Sequence, residues 1–132
     1  DRERAVAADQ VNALQIRTPG IEQRVRHLSG GNQQKVSIGK WLAADCDILI
    51  IDEPTVGVDV GAKQQIHELI WNLAARQGKS ILLISSDLPE LVRLVNRLLV
   101  FRQRRIVGEV RDIDTKKKSY AEVSREIAPL FE

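Results

Sequence analysis

The chain has 132 residues, a net charge of +2 and 43% hydrophobic residues, a composition typical of a folded domain rather than a disordered segment. No apolar run approaches the roughly 20 residues that a membrane-spanning helix needs, and the weak net charge gives no indication of nucleic-acid binding. The single cysteine excludes an internal disulfide, and the two histidines have no companions at the spacing of a metal site.

The first third of the chain is predicted to be helical with one break. Apolar residues recur at helical spacing between positions 7 and 14, and Thr18-Pro19-Gly20 interrupts the pattern. Ser29-Gly30-Gly31 then leads into a second helix, expected from Asn32 to about Ala44. A Gly-Gly turn that opens a helix leaves backbone N–H groups free, and together with the helix dipole these groups can hold a phosphate.

The next element ends in two adjacent carboxylates. Ile48 to Ile51 is a continuous apolar run, which predicts a strand covered on both faces, and Asp52, Glu53 and Pro54 follow it. The carboxyl end of a strand is where α/β proteins bind ligands. One carboxylate there is suited to bind Mg²⁺ and the other to activate a water molecule.

A helix predicted from about Val60 to Arg76, with Gly78 as its stop, leads to a second buried strand from Ser80 to Ser85. The residues of its predicted apolar face are Ile66, Leu69, Ile70, Leu73 and Ala74. Strand, helix and strand in this order predict a right-handed βαβ unit with parallel strands, and therefore an α/β fold.

The rest of the chain is predicted to form a helix, a hairpin and a last helix. Asp87 to Glu90 has the spacing of a capping box at a helix start. Leu98 to Phe101 and Ile106 to Val110 read as an antiparallel hairpin, and Ser119 with Glu122 forms a second capping box.

Taken singly, each motif has an ordinary structural explanation, because a Gly-Gly turn, a loop aspartate such as Asp59 and a helix cap such as Asp87 are all common. The ordered set within a βαβ frame indicates part of a nucleotide hydrolase. No G-x-x-x-x-G-K-[ST] loop occurs in the sequence, so we expect the chain alone to be inactive toward ATP.

At this point the residues resemble the nucleotide-binding domains of ABC transporters. Leu28 to Gln34 is similar to the signature motif, Ile48 to Glu53 to the Walker B strand, and Gly57 to Gly61 to the D-loop. Ser85-Ser86-Asp87 falls on the switch loop. More narrowly, the chain resembles the second ATPase half of bacterial sugar importers of the ribose, galactose and xylose type.

The resemblance implies a fragment of a P-loop NTPase-like fold in three parts. Residues 1–44 would be the end of a helical subdomain with the signature motif. Residues 45–112 would carry the Walker B strand, the D-loop and the switch loop, with a parallel βαβ core and the C-terminal hairpin. Residues 113–132 would be a C-terminal helix and tail.

The resemblance also implies roles for particular residues. Asp52 would hold Mg²⁺, Glu53 would polarise the attacking water, and Asp59 would connect two sites across an interface between halves. The residues that would bind ATP held by the opposite half, chiefly at its γ-phosphate, are Ser29, Gly30, Gly31 and Gln33. The switch position is usually histidine, and Ser86 stands there, so we expect the catalytic site containing Glu53 to be the weaker of two.

The implied parent protein hydrolyses ATP to energise import of a carbohydrate or similar small polar solute. Its partners would be the other nucleotide-binding half, transmembrane permease subunits and, indirectly, an extracytoplasmic solute-binding protein, with no nucleic acid. It would lie at the cytoplasmic face of a bacterial membrane.

Two alternatives remain open. The first is a chromosome-maintenance or DNA-repair ATPase of the same superfamily, although residues 1–14 show none of the sustained heptads expected before its signature. The second is a catalytically silent half that only supplies the signature to a partner.

Overall fold

A computed structural model describes residues 2–114 and 116–131 of the chain. The chain divides into two compact units, Asp1–Leu82 and Leu83–Glu132. None of the helices in the described ranges is long and apolar enough to cross a membrane.

The first unit combines three helices with two strands. Its elements are α1 (Arg2–Ala13), a 3-10 turn (Val25–His27), α2 (Gly30–Leu42), β1 (Ile48–Asp52), α3 (Val60–Ala75) and β2 (Ser80–Ile84), whose last two residues fall in the second unit. The strands β1 and β2 are hydrogen-bonded neighbours in a two-stranded sheet, and α3 connects them. The predicted strand–helix–strand order is therefore confirmed. The buried apolar residues of this unit are Leu14, Ile16, Ile38, Leu49, Ile51, Ile66, Ile70 and Leu73.

The helix α3 follows its sequence signals closely at both ends. The Asp59 side chain caps its first turn, and Gly78 adopts a φ of +67° shortly after its end. Of the predicted apolar face, Ile66, Ile70 and Leu73 are buried and Leu69 is half-buried. Ala74 is exposed, so its predicted burial is wrong, because it lies at the edge of the apolar stripe.

The expectation that β1 is covered on both faces is also wrong for this chain. Leu49 and Ile51 are buried, whereas Ile48 and Ile50 are each 69% exposed. Successive side chains of a strand point to opposite faces, and the described elements cover only one face of β1.

The second unit is built around a hairpin. Its elements are α4 (Leu88–Leu94), β3 (Leu98–Arg102), β4 (Arg105–Val110), α5 (Tyr120–Ile127) and a 3-10 turn (Ala128–Phe131). The strands β3 and β4 pair antiparallel as predicted, with Leu98 opposite Val110. Its buried core consists of Leu98, Val100, Val110, Ile113, Val123 and Ile127.

Local signals account for the connections in this unit. Gln103 and Arg104 form the hairpin loop with φ values of 48° and 64°, as a tight turn that matches the strand twist requires. Ser119 and Glu122 make both hydrogen bonds of the predicted capping box at the start of α5.

Candidate functional site

The start of α2 presents free backbone N–H groups. Ser29 is its N-cap in an extended conformation, and the first intrahelical bond is donated by the Gln33 amide to the Ser29 carbonyl at 2.9 Å. The amides of Gly30, Gly31 and Asn32 therefore precede the helical hydrogen-bond ladder. Ser29 and Gly30 are exposed, so this turn is open to an anionic ligand.

Two side chains of the signature hold the turn in place. The Gln33 side-chain amide donates to the Leu28 carbonyl at 2.8 Å, and the Asn32 amide donates to the Ser29 hydroxyl at 2.8 Å. The side chain of Gln33, to which the resemblance gave a role in binding ATP, is thus hydrogen-bonded to its own loop here. The Ser29 hydroxyl keeps its proton available for a further acceptor.

The carboxylates follow at the end of β1. Asp52 is the last residue of the strand and is exposed, and Glu53 is half-buried with a φ of +44°. The Val56 amide donates to the Glu53 carbonyl at 3.3 Å, which closes a tight turn over the buried Pro54. The strand end therefore places two carboxylates of different exposure side by side.

A magnesium ion at this position would need ligands beyond the protein. Among the described residues there is no group of three His, Cys, Asp or Glu side chains that could hold a metal. Magnesium is commonly bound by one or two carboxylates together with phosphate oxygens and water. The exposed carboxylate of Asp52 fits this limited role.

Asp59 has a defined structural task in the same unit. Its side chain accepts a hydrogen bond from the Ala62 amide at 2.9 Å, and its carbonyl accepts one from the Lys63 amide at 2.8 Å. The loop that carries Asp59 also lies against the signature. A Cβ atom built on Gly30 would be 3.1 Å from the Gly57 carbonyl oxygen. The structure therefore brings the signature and the Asp59 loop together.

Ser86 lies in the second unit, two residues beyond β2, and is exposed. The residues around it form linked hydrogen bonds. The Ser85 hydroxyl accepts from the Asp87 amide at 3.0 Å and donates to the Glu90 carboxylate at 2.6 Å, while Asp87 caps the Glu90 amide at 3.0 Å. Sequence reasoning gave Glu90 only a capping role and missed its bond to Ser85, because a five-residue spacing carries no recognised motif.

Lys35 is a second residue that sequence reasoning missed. It is buried in α2, and its ammonium donates to the Gln15 carbonyl at 3.3 Å and to the Gln65 side chain at 3.0 Å. Burial, assisted by the positive charge of Arg17, lowers the pKa of Lys35. A neighbouring open cavity of about 390 Å³ includes no predicted site residue; it is lined by Val11, Asn12, Gln15, Ile16, Arg17 and Gln65.

Comparison with known proteins agrees with these motifs. The sequence profile described as ABC transporter matches residues 1–56. The ribose import ATP-binding protein RbsA 1 of Streptomyces avermitilis is 55% identical over 108 residues, which is 82% of this chain and 20% of that protein. The chain belongs to the ABC transporter ATPase family.

The chain is also similar to a second import ATP-binding protein and to a solved ATP-binding cassette. The arabinose import ATP-binding protein AraG of Vibrio parahaemolyticus is 44% identical over 117 residues, covering 89% of this chain and 23% of that protein. A solved nucleotide-free ATP-binding cassette from an ABC transporter shares the fold with a TM-score of 0.82 at 22% identity, over all of this chain and 51% of that one. The chain thus spans about a quarter or less of its relatives' length. Both curated relatives are named as ATP-binding proteins.

Proposed function

We propose that this chain is part of the ATP-binding subunit of an ABC importer for a carbohydrate or similar small polar solute. The observation that carries the proposal is the 55% identity to a ribose import ATP-binding protein across 82% of the chain. The signature turn and the carboxylate pair, which are the two groups that the proposed hydrolysis uses, both lie within this chain.

The proposed division of labour follows from the chemistry of phosphoryl transfer. Little covalent chemistry is needed, so catalysis rests on positioning and on stabilising charge. Asp52 holds Mg²⁺ and Glu53 polarises the attacking water for a nucleotide bound by its own half. Ser29, Gly30 and Gly31 bind the γ-phosphate of a nucleotide on the opposite half.

Splitting these groups between halves makes hydrolysis depend on closure of the two halves, and a transporter can use that closure to drive its permease. The proposed partners are therefore the second nucleotide-binding half and transmembrane permease subunits, with a solute-binding protein acting outside. The proposed location is the cytoplasmic face of the membrane, in contact with the permease.

The test of the signature is Gly31→Asp in the full-length protein with its permease. A carboxylate at this helix start would repel the γ-phosphate, so we expect transport-coupled ATP hydrolysis to be lost. Gly20→Asp is the matched control, because Gly20 is exposed and a Cβ built there meets no atom within 4 Å. Near wild-type turnover in the Gly31 variant would show that this signature completes no working site.

The serine at position 86 is the reason to propose that the two nucleotide sites of the parent protein differ in catalytic activity. A hydroxyl can donate one hydrogen bond, but it carries no positive charge toward the transferring phosphoryl group, unlike a protonated imidazole. Loss of one such donor costs about 3 kcal/mol, or roughly a hundredfold in rate.

We therefore expect Glu53→Gln to lower steady-state hydrolysis modestly, whereas the matching change in the other half nearly abolishes it. Both single variants are compared in one ATPase assay. No effect of Glu53→Gln would favour the second candidate function, in which this half supplies only the signature. A loss equal to that of its counterpart would show that Ser86 does not weaken the site.

A further inference from the structure

We propose that Ala62 is a positioning residue for the signature turn. Its methyl group sets how close the start of α2 lies to the start of α3, and so fixes where the free amides of Gly30 and Gly31 point. The inference rests on the proposed function, because it concerns the site that those amides are proposed to form. It assigns a role to a residue that makes no contact with nucleotide in that proposal.

The two helices approach each other unusually closely at this point. A Cβ atom built on Gly31 would lie 2.5 Å from the Cβ of Ala62, a distance that real Cβ atoms essentially never show. The obstacle is a methyl group attached directly to the α3 backbone, so no side-chain rotation can relieve the contact. Gly31 is correspondingly buried, although Gly30 beside it is exposed.

A second contact lies one residue earlier. A Cβ atom built on Gly30 would be 3.1 Å from the Gly57 carbonyl oxygen and 3.5 Å from a methyl carbon of Val58. Both signature glycines therefore pack against one continuous segment, from Gly57 to Ala62. A shift of that segment would move the signature turn with it.

The α3 side of this contact is the firmly held side. The Ala62 amide is capped by the Asp59 carboxylate at 2.9 Å, and Ile66 one turn later is completely buried. The α2 side is an N-terminal turn whose amides lie before the hydrogen-bond ladder. Added bulk at the contact should therefore displace the signature turn rather than α3.

This arrangement gives two separate reasons why position 31 should tolerate only glycine. A side chain there could obstruct the phosphate of the opposite half, or it could collide with Ala62 of its own chain. A compensating change at Ala62 distinguishes them, because it makes room in the chain and leaves the phosphate side unchanged.

The experiment is a double-mutant cycle in the full-length protein reconstituted with its permease. The variants are Gly31→Ala, Ala62→Gly and the two combined, and the measurements are kcat and KM for ATP together with thermal unfolding. Displacement of a catalytic group by about 1 Å can cost about a hundredfold, so we expect Gly31→Ala to lower kcat by an amount of this order. Ala62→Gly alone should also lower kcat, but by less than Gly31→Ala does, because it removes the positioning methyl group without creating a collision.

The decisive result is the combined variant. We expect Ala62→Gly to restore most of the kcat lost in Gly31→Ala, which a purely phosphate-side obstruction would not allow. A combined variant as slow as Gly31→Ala would overturn the inference and would leave the proposed function standing. Full activity in Gly31→Asp would contradict both the inference and the proposed function, because the aspartate Cβ would also lie against Ala62.

A second pair of variants changes residues of α3 instead of the signature glycine. Ala62→Leu should lower kcat without altering any residue proposed to touch nucleotide, whereas Ala75→Leu, at the exposed end of the same helix, should not. Thermal unfolding identifies a variant that simply fails to fold, and the double-mutant cycle then decides alone. Unchanged kcat in a folded Ala62→Leu protein would also contradict the inference.

Discussion

Replacing Glu53 by glycine should make the chain more stable than replacing it by alanine. Glu53 has a φ of +44°, in the left-handed region, where a side chain bearing a Cβ costs about 1–2 kcal/mol. Glycine avoids this cost, but it adds freedom to the unfolded chain worth about 0.4–1 kcal/mol. The balance favours the Glu53→Gly variant over Glu53→Ala by roughly 0.5–1 kcal/mol.

The comparison between glycine and alanine isolates the backbone, because both variants lack the carboxylate. Urea unfolding of the 132-residue chain measures it directly. With a slope of about 1.5 kcal/mol/M, the expected difference shifts the midpoint by roughly 0.5 M. In the full-length protein, both variants should lose the activity that depends on the Glu53 carboxylate.

Glu68 supplies a control of opposite sign. It is exposed in the interior of α3, where glycine is about 1 kcal/mol less favourable than alanine. Glu68→Gly should therefore be less stable than Glu68→Ala by about that amount. If Glu53→Gly proved less stable than Glu53→Ala, as expected for the same pair at position 68, the left-handed conformation of Glu53 and the strain inferred from it would be refuted.

Two further predictions concern the chain by itself. The isolated chain should neither bind MgATP with useful affinity nor hydrolyse it, because in the proposed function Asp52 and Glu53 act on a nucleotide that a phosphate-binding loop must hold. Tight, saturable binding by calorimetry together with turnover would contradict this. Burial lowers the pKa of Lys35 below its ordinary value of 10.5, so the unfolded state binds more protons there and stability should rise as pH approaches that value. The Lys35→Met variant should lack this rise. If the free energy of unfolding changed equally with pH in both proteins between neutral pH and about pH 10, this prediction would be refuted.

The sequence predicts the elements well where local signals and burial agree. Ser119 and Gly78 mark helix ends through bonds or conformations that depend on neighbouring residues only, whereas the cap that Asp59 forms on α3 was not predicted. The hairpin follows from two apolar runs with a short polar link. Such features are decided within a few residues, so periodicity and turn chemistry suffice to predict them.

Features that depend on distant partners were not predicted. The exposure of Ile48 and Ile50 depends on which elements cover β1, which no local pattern specifies. The burial of Lys35 and its bond to Gln65 join residues thirty positions apart. The close approach of Gly31 to Ala62 is likewise a property of helix packing. Glycine at position 31 was explained by phosphate binding alone, although packing within the chain also requires it.

The proposed phosphate binding and the close packing on Ala62 place different requirements on Gly31, the first on its backbone amide and the second on its lack of a side chain. Close packing on Ala62 holds the turn still, and the amides left outside the helical ladder remain open to a phosphate. A preorganised anion site needs both conditions, since donors that must reorganise during the reaction stabilise charge less well. In the proposed arrangement, the rigidity of the signature turn therefore comes partly from α3, the helix that Asp59 caps, and not from the signature residues alone.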